Sequence, residues 1–203
     1  MAILRNIILH HAGPIGTNPF SSSLHLTWQH IDNAHKERWN FISAMGFFGG
    51  YNIYIDQVGN IKQFRLLGEE TAAQKGYNFD SISICLSGNF TEGVDQPTDA
   101  QKMTLKRVLQ FLLDRTPERI GLKVSRGTVL DLSLDRIKPH REFSSTTCYG
   151  NLPDNWGQTL LYDYNSQVTI LKRRLDELMK LLQTLLAQLQ SKKLSSIDRD
   201  CGI

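Results

Sequence analysis

The feature that most constrains this chain is a heptad repeat in its last quarter. Apolar residues recur there at alternating intervals of three and four positions, which places them on one face of a helix. They are Val168, Leu171, Leu175, Leu178, Leu182, Leu185 and Leu189. One free helix cannot cover this seam, so its partner is either further copies of the chain or the chain's own domain. The regular spacing favours a homo-oligomer through residues 168–189, and the flanking Met179, Leu181 and Leu186 favour a trimer or tetramer.

The residues before the repeat have the pattern of a mixed α/β domain. Strands are predicted at 3–9, 51–56, 61–66 and 81–87, and weaker alternation follows over 130–134. Helices are predicted at 27–43 and from Thr98 to about Thr116, where Thr98 and Gln101 form a capping box. The order β-α-β-β-β-α-β predicts the α/β class, with a mixed β-sheet flanked by helices.

Length and composition agree with this division. The 203 residues, of which 40% are hydrophobic, suffice for one folded domain and an appendage. We predict a domain over 1–155, a spacer over 156–166, a coiled-coil helix over 167–194 and a flexible tail over 195–203. The positive charge is concentrated in 167–194, so the domain itself is not expected to bind nucleic acid. Three widely separated cysteines argue against a disulfide framework.

Two histidine segments and one cysteine carry the candidate chemistry. His10 and His11 end the first apolar strand, His140 follows Pro139, and Cys148 comes shortly after it. Imidazole nitrogens and a thiolate are ligands that zinc prefers, and three protein ligands leave a fourth position open for water. Because the three residue positions are far apart in sequence, they indicate a catalytic rather than a structural zinc site. His11 is the alternative to His10 as the first ligand.

Short segments spread over residues 7–150 resemble one known family. They include Ile8-Leu9-His10-His11, the helix segment 31–39, Gly50-Tyr51-Asn52-Ile53-Tyr54-Ile55, Gly76-Tyr77-Asn78, the strand 81–88, Pro97-Thr98 with Gln101, and Thr146 with Cys148 and Gly150. In this order they resemble the zinc-dependent N-acetylmuramoyl-L-alanine amidases of the type-2 amidase and peptidoglycan recognition protein superfamily.

The resemblance implies a function and a set of site residues. It implies hydrolysis of the amide bond between N-acetylmuramic acid and L-alanine in peptidoglycan, with a Zn²⁺ cofactor held by His10, His140 and Cys148. The family's catalytic tyrosine corresponds to Tyr51, and Thr146 occupies a second catalytic position. From the residues alone, Tyr51 is equally a packing residue of a strand.

Three positions depart from the family's usual residues. Asn52 stands where His is frequent, Gln74 where His is frequent, and Tyr149 where Pro is usual. None of the three replaces a ligand, but all bear on substrate contacts.

Other functional classes stay open at this point. The principal alternative is a non-catalytic peptidoglycan-binding module that oligomerises through its C-terminal helix. Another is a cysteine hydrolase that uses Cys148 and His140. The family's non-catalytic members commonly lack the cysteine ligand, so the presence of Cys148 favours an enzyme.

The start of the sequence bears on where the protein acts. Residues 1–9 show no basic segment, apolar core and cleavage site of a signal peptide, and no run approaches the roughly 18–20 apolar residues that span a bilayer. We therefore expect cytoplasmic synthesis without an export signal and release to the cell wall by a separate route. This favours a phage-type lysis enzyme (an endolysin) or a wall-recycling enzyme.

Overall fold

A computed structural model of the chain describes residues 2–200, with side chains other than those of residues 163–170, 188 and 190–200. The chain forms two compact units, the first ending at Leu161 and the second beginning at Tyr162. The strands are β1 (Ile3–Leu4), β2 (Asn6–His11), β3 (Ile53–Ile55), β4 (Ile61–Gln63), β5 (Ser81–Leu86), β6 (Val129–Leu130) and β7 (Ile137–Pro139). The α-helices are α1 (Trp28–Trp39), α2 (Asp99–Leu113) and α3 (Trp156–Asp200), and 3-10 turns cover Pro117–Ile120, Leu134–Arg136 and His140–Glu142.

The central sheet of the first unit is mixed, as the sequence predicts. Its five strands lie in the order β4-β3-β5-β2-β7, and β1 pairs with β6 in a separate two-stranded sheet. Only the β3–β4 hairpin is antiparallel within the five-stranded sheet. Strand β2 lies between two parallel neighbours and is buried along its whole length. Its residues Ile7, Ile8 and Leu9 are therefore apolar on both faces of the sheet.

The strand register assigns alternate residues to two different environments. Leu9 pairs with Ile84, which pairs with Ile53, and all three belong to the larger core, together with the apolar face of α2. On the opposite face His10 pairs with Cys85, which pairs with Tyr54. The latter face packs against Ile31 of α1 in a smaller cluster. His10 therefore points towards the α1 side of the sheet.

Helix α2 begins where the capping box predicts. The Thr98 side chain accepts a hydrogen bond from the Gln101 N–H, and the Gln101 side chain accepts one from the Thr98 N–H. The Gln101 amide also donates to the Ser87 carbonyl oxygen, so it ties the start of the helix to the end of β5.

Helix α1 is shorter than the sequence pattern predicts. It ends at Trp39 rather than near Ser43, because Asn40 adopts a left-handed conformation with φ 48° while its N–H still donates to the Lys36 carbonyl. The residues that follow form a loop that leads to Tyr51.

Helix α3 is longer than the predicted coiled-coil segment. It begins at Trp156, inside the predicted spacer, and continues to Asp200, inside the predicted flexible tail. Leu160 and Leu161 are buried, so the first compact unit extends past residue 155. In the second unit, the heptad leucines from Leu171 to Leu189 are 47–63% exposed. The side chain of Val168 and residues 201–203 lie outside the described part of the chain. No described helix is long and apolar enough to cross a membrane.

One buried cation ties together the loops next to β3. The Arg65 side chain is fully buried, and it donates to the carbonyl oxygens of Gly49, Glu70 and Phe41. Its guanidinium lies 3.7 Å from Glu69 and stacks on the Phe41 ring at 4.2 Å. The desolvation cost of the charge is thus offset by hydrogen bonds to three carbonyls and by an ion pair with one carboxylate.

Replacing Arg65 with Met should lower the free energy of unfolding by about 3 kcal/mol, because the carbonyls of Gly49, Glu70 and Phe41 lose their donor. Urea unfolding followed by circular dichroism measures this effect. The exposed Arg136→Met variant is the matched control and should change stability by less than about 0.5 kcal/mol. Equal stabilities of the two variants would contradict a structural role for the Arg65 contacts.

Candidate metal centre

Two histidines meet at the carboxyl ends of neighbouring parallel strands. His10 is the penultimate residue of β2, and His140 directly follows β7. Because Leu9 pairs with Pro139 in this parallel register, the residues that follow them, His10 and His140, lie side by side. Their ring centroids are 4.4 Å apart.

The loop after His140 brings Cys148 back to the same point. Its Sγ accepts a hydrogen bond from the His11 N–H at 3.4 Å and lies 4.0 Å from His10 Nδ1. The Arg141 N–H donates to the Cys148 carbonyl at 3.0 Å, which closes the loop. One ligand atom from each of His10, His140 and Cys148 lies within 4.8 Å of the others.

The chemistry of these atoms fits a bound zinc ion. His10 is 1% exposed, yet its Nε2 has no hydrogen-bond partner among the described residues. Burial, followed by the neighbouring His140 and His11, lowers the pKa of His10 well below its ordinary value. Burial also lowers the pKa of His140. Both rings are therefore neutral near pH 7 and offer the lone pairs that zinc needs.

His11 has a different role from its neighbour. Its Nδ1 accepts a hydrogen bond from the Phe90 N–H at 3.0 Å, and its ring packs against Phe90. Burial, and after it the neighbouring His140, lower the pKa of His11 to about 4. The side chain supports the loop after β5, while the His11 backbone N–H contacts the cysteine.

Tyr51 lies beside the three candidate ligands. It precedes β3, and its ring centroid is 5.1 Å from that of His10. Burial raises the pKa of Tyr51 well above the ordinary value, and the nearby thiols of Cys85 and Cys148 raise it further. The phenol therefore keeps its proton and is available as a hydrogen-bond donor.

Thr146 contacts the cysteine loop itself. Its Oγ1 accepts a hydrogen bond from the Cys148 N–H at 3.2 Å. This contact holds the backbone of the cysteine and leaves the hydroxyl proton available for another partner.

Two of the three departures from the family pattern have structural roles. The buried Asn52 side chain donates to the Leu66 carbonyl and accepts from the Ser83 N–H, so it joins the hairpin to β5. The Tyr149 hydroxyl donates to the Pro153 carbonyl at 2.8 Å. Gln74 is 2% exposed, and neither atom of its side-chain amide has a partner in the described protein.

A cavity of about 440 Å³ adjoins Tyr51. Helix α1 supplies one wall through Ile31, Ala34, His35 and Arg38, and the Ala12–Gly16 loop supplies another. The sequence did not predict this cavity. Its only signal is the helical spacing that puts His35 and Arg38 on the same face as the buried Ile31.

The chain matches a family model described as N-acetylmuramoyl-L-alanine amidase over residues 2–151. It belongs to this family. The match covers the first compact unit almost completely, including the three candidate ligands and Tyr51. A search of curated proteins gave no match.

Solved structures of the same fold come from an amidase and from recognition proteins. The amidase LysC of Clostridium intestinale URNW is 23% identical, with a TM-score of 0.50 over 73% of this chain and 89% of that one. Bumblebee PGRP-SA is 19% identical, with a TM-score of 0.51 over 74% and 77% of the two chains. Drosophila PGRP-LB is 18% identical, with a TM-score of 0.51 over 74% and 76%. At these identities the likeness concerns the fold.

Proposed function

We propose that the chain is a zinc-dependent N-acetylmuramoyl-L-alanine amidase of a phage-type lysis or wall-recycling system. The observation that carries the proposal is the convergence of His10, His140 and Cys148, which each bring one ligand atom within 4.8 Å of the others. Membership of the amidase family and the fold shared with the LysC amidase support the same activity. The substrate is the amide bond between the lactyl group of N-acetylmuramic acid and L-alanine.

The cysteine ligand favours an enzyme over a non-catalytic binding module. Cys148 completes a set of three ligands, which leaves a further zinc position open for water or substrate. Tyr51 beside this set adds a hydrogen-bond donor, which hydrolysis uses and which a module that only binds does not need.

A cysteine hydrolase is disfavoured by the state of the thiol. Burial raises the pKa of Cys148 to about 12, although the His11 N–H and then Arg141 oppose the shift. A cysteine nucleophile instead needs a lowered pKa, so that it is a thiolate at neutral pH. Without a metal, Cys148 is a protonated and weakly nucleophilic group.

The protein's own residues then divide the work of amide hydrolysis. Zinc, when bound by the two imidazoles and the thiolate, supplies Lewis-acid chemistry that activates water as a nucleophile at neutral pH. The Tyr51 hydroxyl donates a hydrogen bond to the carbonyl oxygen of the scissile amide, where negative charge develops. Thr146 holds the Cys148 backbone and offers its hydroxyl proton as a further donor.

The C-terminal helix is proposed to join several of these domains. Its exposed heptad leucines form a seam that copies of the same helix cover, in a trimer or tetramer. The basic residues Lys172, Arg173, Arg174 and Lys180 lie in the same segment. Several active sites with this positive charge would increase avidity for a repeating, anionic wall polymer.

The metal assignment is tested by Cys148→Ala. Wild-type protein should contain about one zinc per chain, and this variant should lose zinc and amidase activity together while circular dichroism stays unchanged. Zinc is measured by atomic emission, and activity by release of peptide from purified sacculi. The control variant Cys201→Ser should keep both. Full zinc occupancy in Cys148→Ala would refute the ligand set.

The role of the tyrosine is tested by Tyr51→Phe. This variant should keep its zinc, and its turnover should fall roughly 10²-fold because one donor to the developing oxyanion is lost. The exposed Tyr162→Phe is the matched control and should behave as wild type. Unchanged turnover in Tyr51→Phe would make Tyr51 a packing residue.

Self-association is tested by light scattering on the full chain and on a chain truncated after Ser166. The full chain should have three or four times the monomer mass, and the truncated chain should be a monomer. Leu178→Glu should dissociate the full-length oligomer, because it places charge in the seam, whereas Gln183→Glu should not. A monomeric full-length chain would rule out the avidity proposal.

A further inference from the structure

Helix α1 holds the backbone that leads into Tyr51. The Asp32 carboxylate accepts hydrogen bonds from the N–H groups of Phe48 and Gly49, at 2.6 and 2.8 Å. His35, one turn later on the same helix face, accepts the next N–H, that of Gly50, through Nδ1 at 2.7 Å. Two side chains therefore bind three consecutive backbone donors immediately before the tyrosine.

The same short segment is also fixed from its other side. Arg65 donates to the Gly49 carbonyl at 2.8 Å, and the Ala72 N–H donates to the Gly50 carbonyl at 2.9 Å. A Cβ on Gly49 would lie 2.3 Å from the Phe64 ring, so only glycine permits this close approach. The backbone next to Tyr51 is thus held at nearly every polar group.

His35 also contacts the tyrosine ring directly. The His35 and Tyr51 ring centroids are 5.3 Å apart, and the tyrosine ring is in turn 5.1 Å from His10. On its other side His35 packs against Trp39 at 4.5 Å. The position of the Tyr51 hydroxyl relative to the ligands therefore depends on a ring that is itself packed and hydrogen-bonded.

We propose that His35 is a positioning residue, which fixes Tyr51 against the metal centre through the Gly50 hydrogen bond and the ring contact. This inference rests on the proposed amidase function, because it assigns a role in that reaction. It gives His35 no contact with the metal and no transfer of a proton.

The protonation state of His35 agrees with an acceptor role. An N–H that points at Nδ1 requires a lone pair there, so the ring proton is on Nε2. Burial, and after it the neighbouring Arg38, lower the pKa of His35 to about 4. At neutral pH the imidazole is therefore uncharged and keeps the acceptor that the loop requires.

The decisive experiment compares His35→Asn with His35→Ala in the full-length protein. The Asn side chain places an acceptor oxygen near the position of Nδ1, whereas Ala removes both the acceptor and the ring. In His35→Ala, kcat should fall roughly 10- to 100-fold, as for a misplaced catalytic group, with KM changed by less than about threefold. His35→Asn should recover most of this loss. Zinc content should equal wild type in both variants.

A double-mutant cycle with Tyr51→Phe separates positioning from a general loss of structure. If His35 acts through the tyrosine hydroxyl, His35→Ala should have little further effect on kcat once that hydroxyl is absent. Amide hydrogen exchange gives an independent readout, since Gly50 should lose protection in His35→Ala and keep it in His35→Asn. The exposed Glu37→Ala on the same helix is the control and should match wild type in every measurement.

Three results would overturn the inference while the amidase proposal stands. These are additive effects of His35→Ala and Tyr51→Phe, a His35→Asn variant as impaired as His35→Ala, and an effect confined to KM. A wild-type protein without zinc-dependent amidase activity would instead reject the proposed function itself.

Discussion

The parallel pairing of β2 with β7 is the interaction on which the site depends. It puts residues from opposite ends of the domain at one sheet edge, because Leu9 and Pro139 are partners and the residue after each is a histidine. A shift of one residue in this register would send His10 to the opposite face, into the apolar core with α2. The same register that sorts Leu9 into that core therefore aims His10 at Cys148 and Tyr51.

The fold could be predicted to a useful extent because its strongest determinants are local. The apolar strands, the hairpin and the capping box at Thr98 are short patterns with few alternative structures. The predicted ends of α1 and α3 differ from the observed ones, because tertiary contacts or the local backbone conformation decide where these helices begin and end. A left-handed Asn40 ends α1 early, and burial of Leu160 and Leu161 accompanies a start of α3 ahead of the heptads.

The candidate ligands were easier to find than their surroundings. Histidine and cysteine have few common roles, so His10, His140 and Cys148 could be selected by chemistry and by their resemblance to a family. The acceptors Asp32 and His35 could not, since a helix side chain that binds the backbone of a distant loop has no sequence pattern. Arg65 was missed for a related reason, because its burial depends on carbonyl groups that the fold brings together.

The sequence separation of the candidate ligands would give a bound metal an effect on the stability of the domain. Cys148 and His10 are 138 positions apart, so an ion bound by both closes a loop that encloses nearly the whole first unit. Such a crosslink resembles a long-range staple between the first main strand of the sheet and the last loop of the domain. Every tenfold rise of free zinc above its dissociation constant would add about 1.4 kcal/mol to the folded state. A cell with little free zinc would thereby lower the free energy of unfolding of the first unit, in addition to removing the proposed Lewis-acid chemistry.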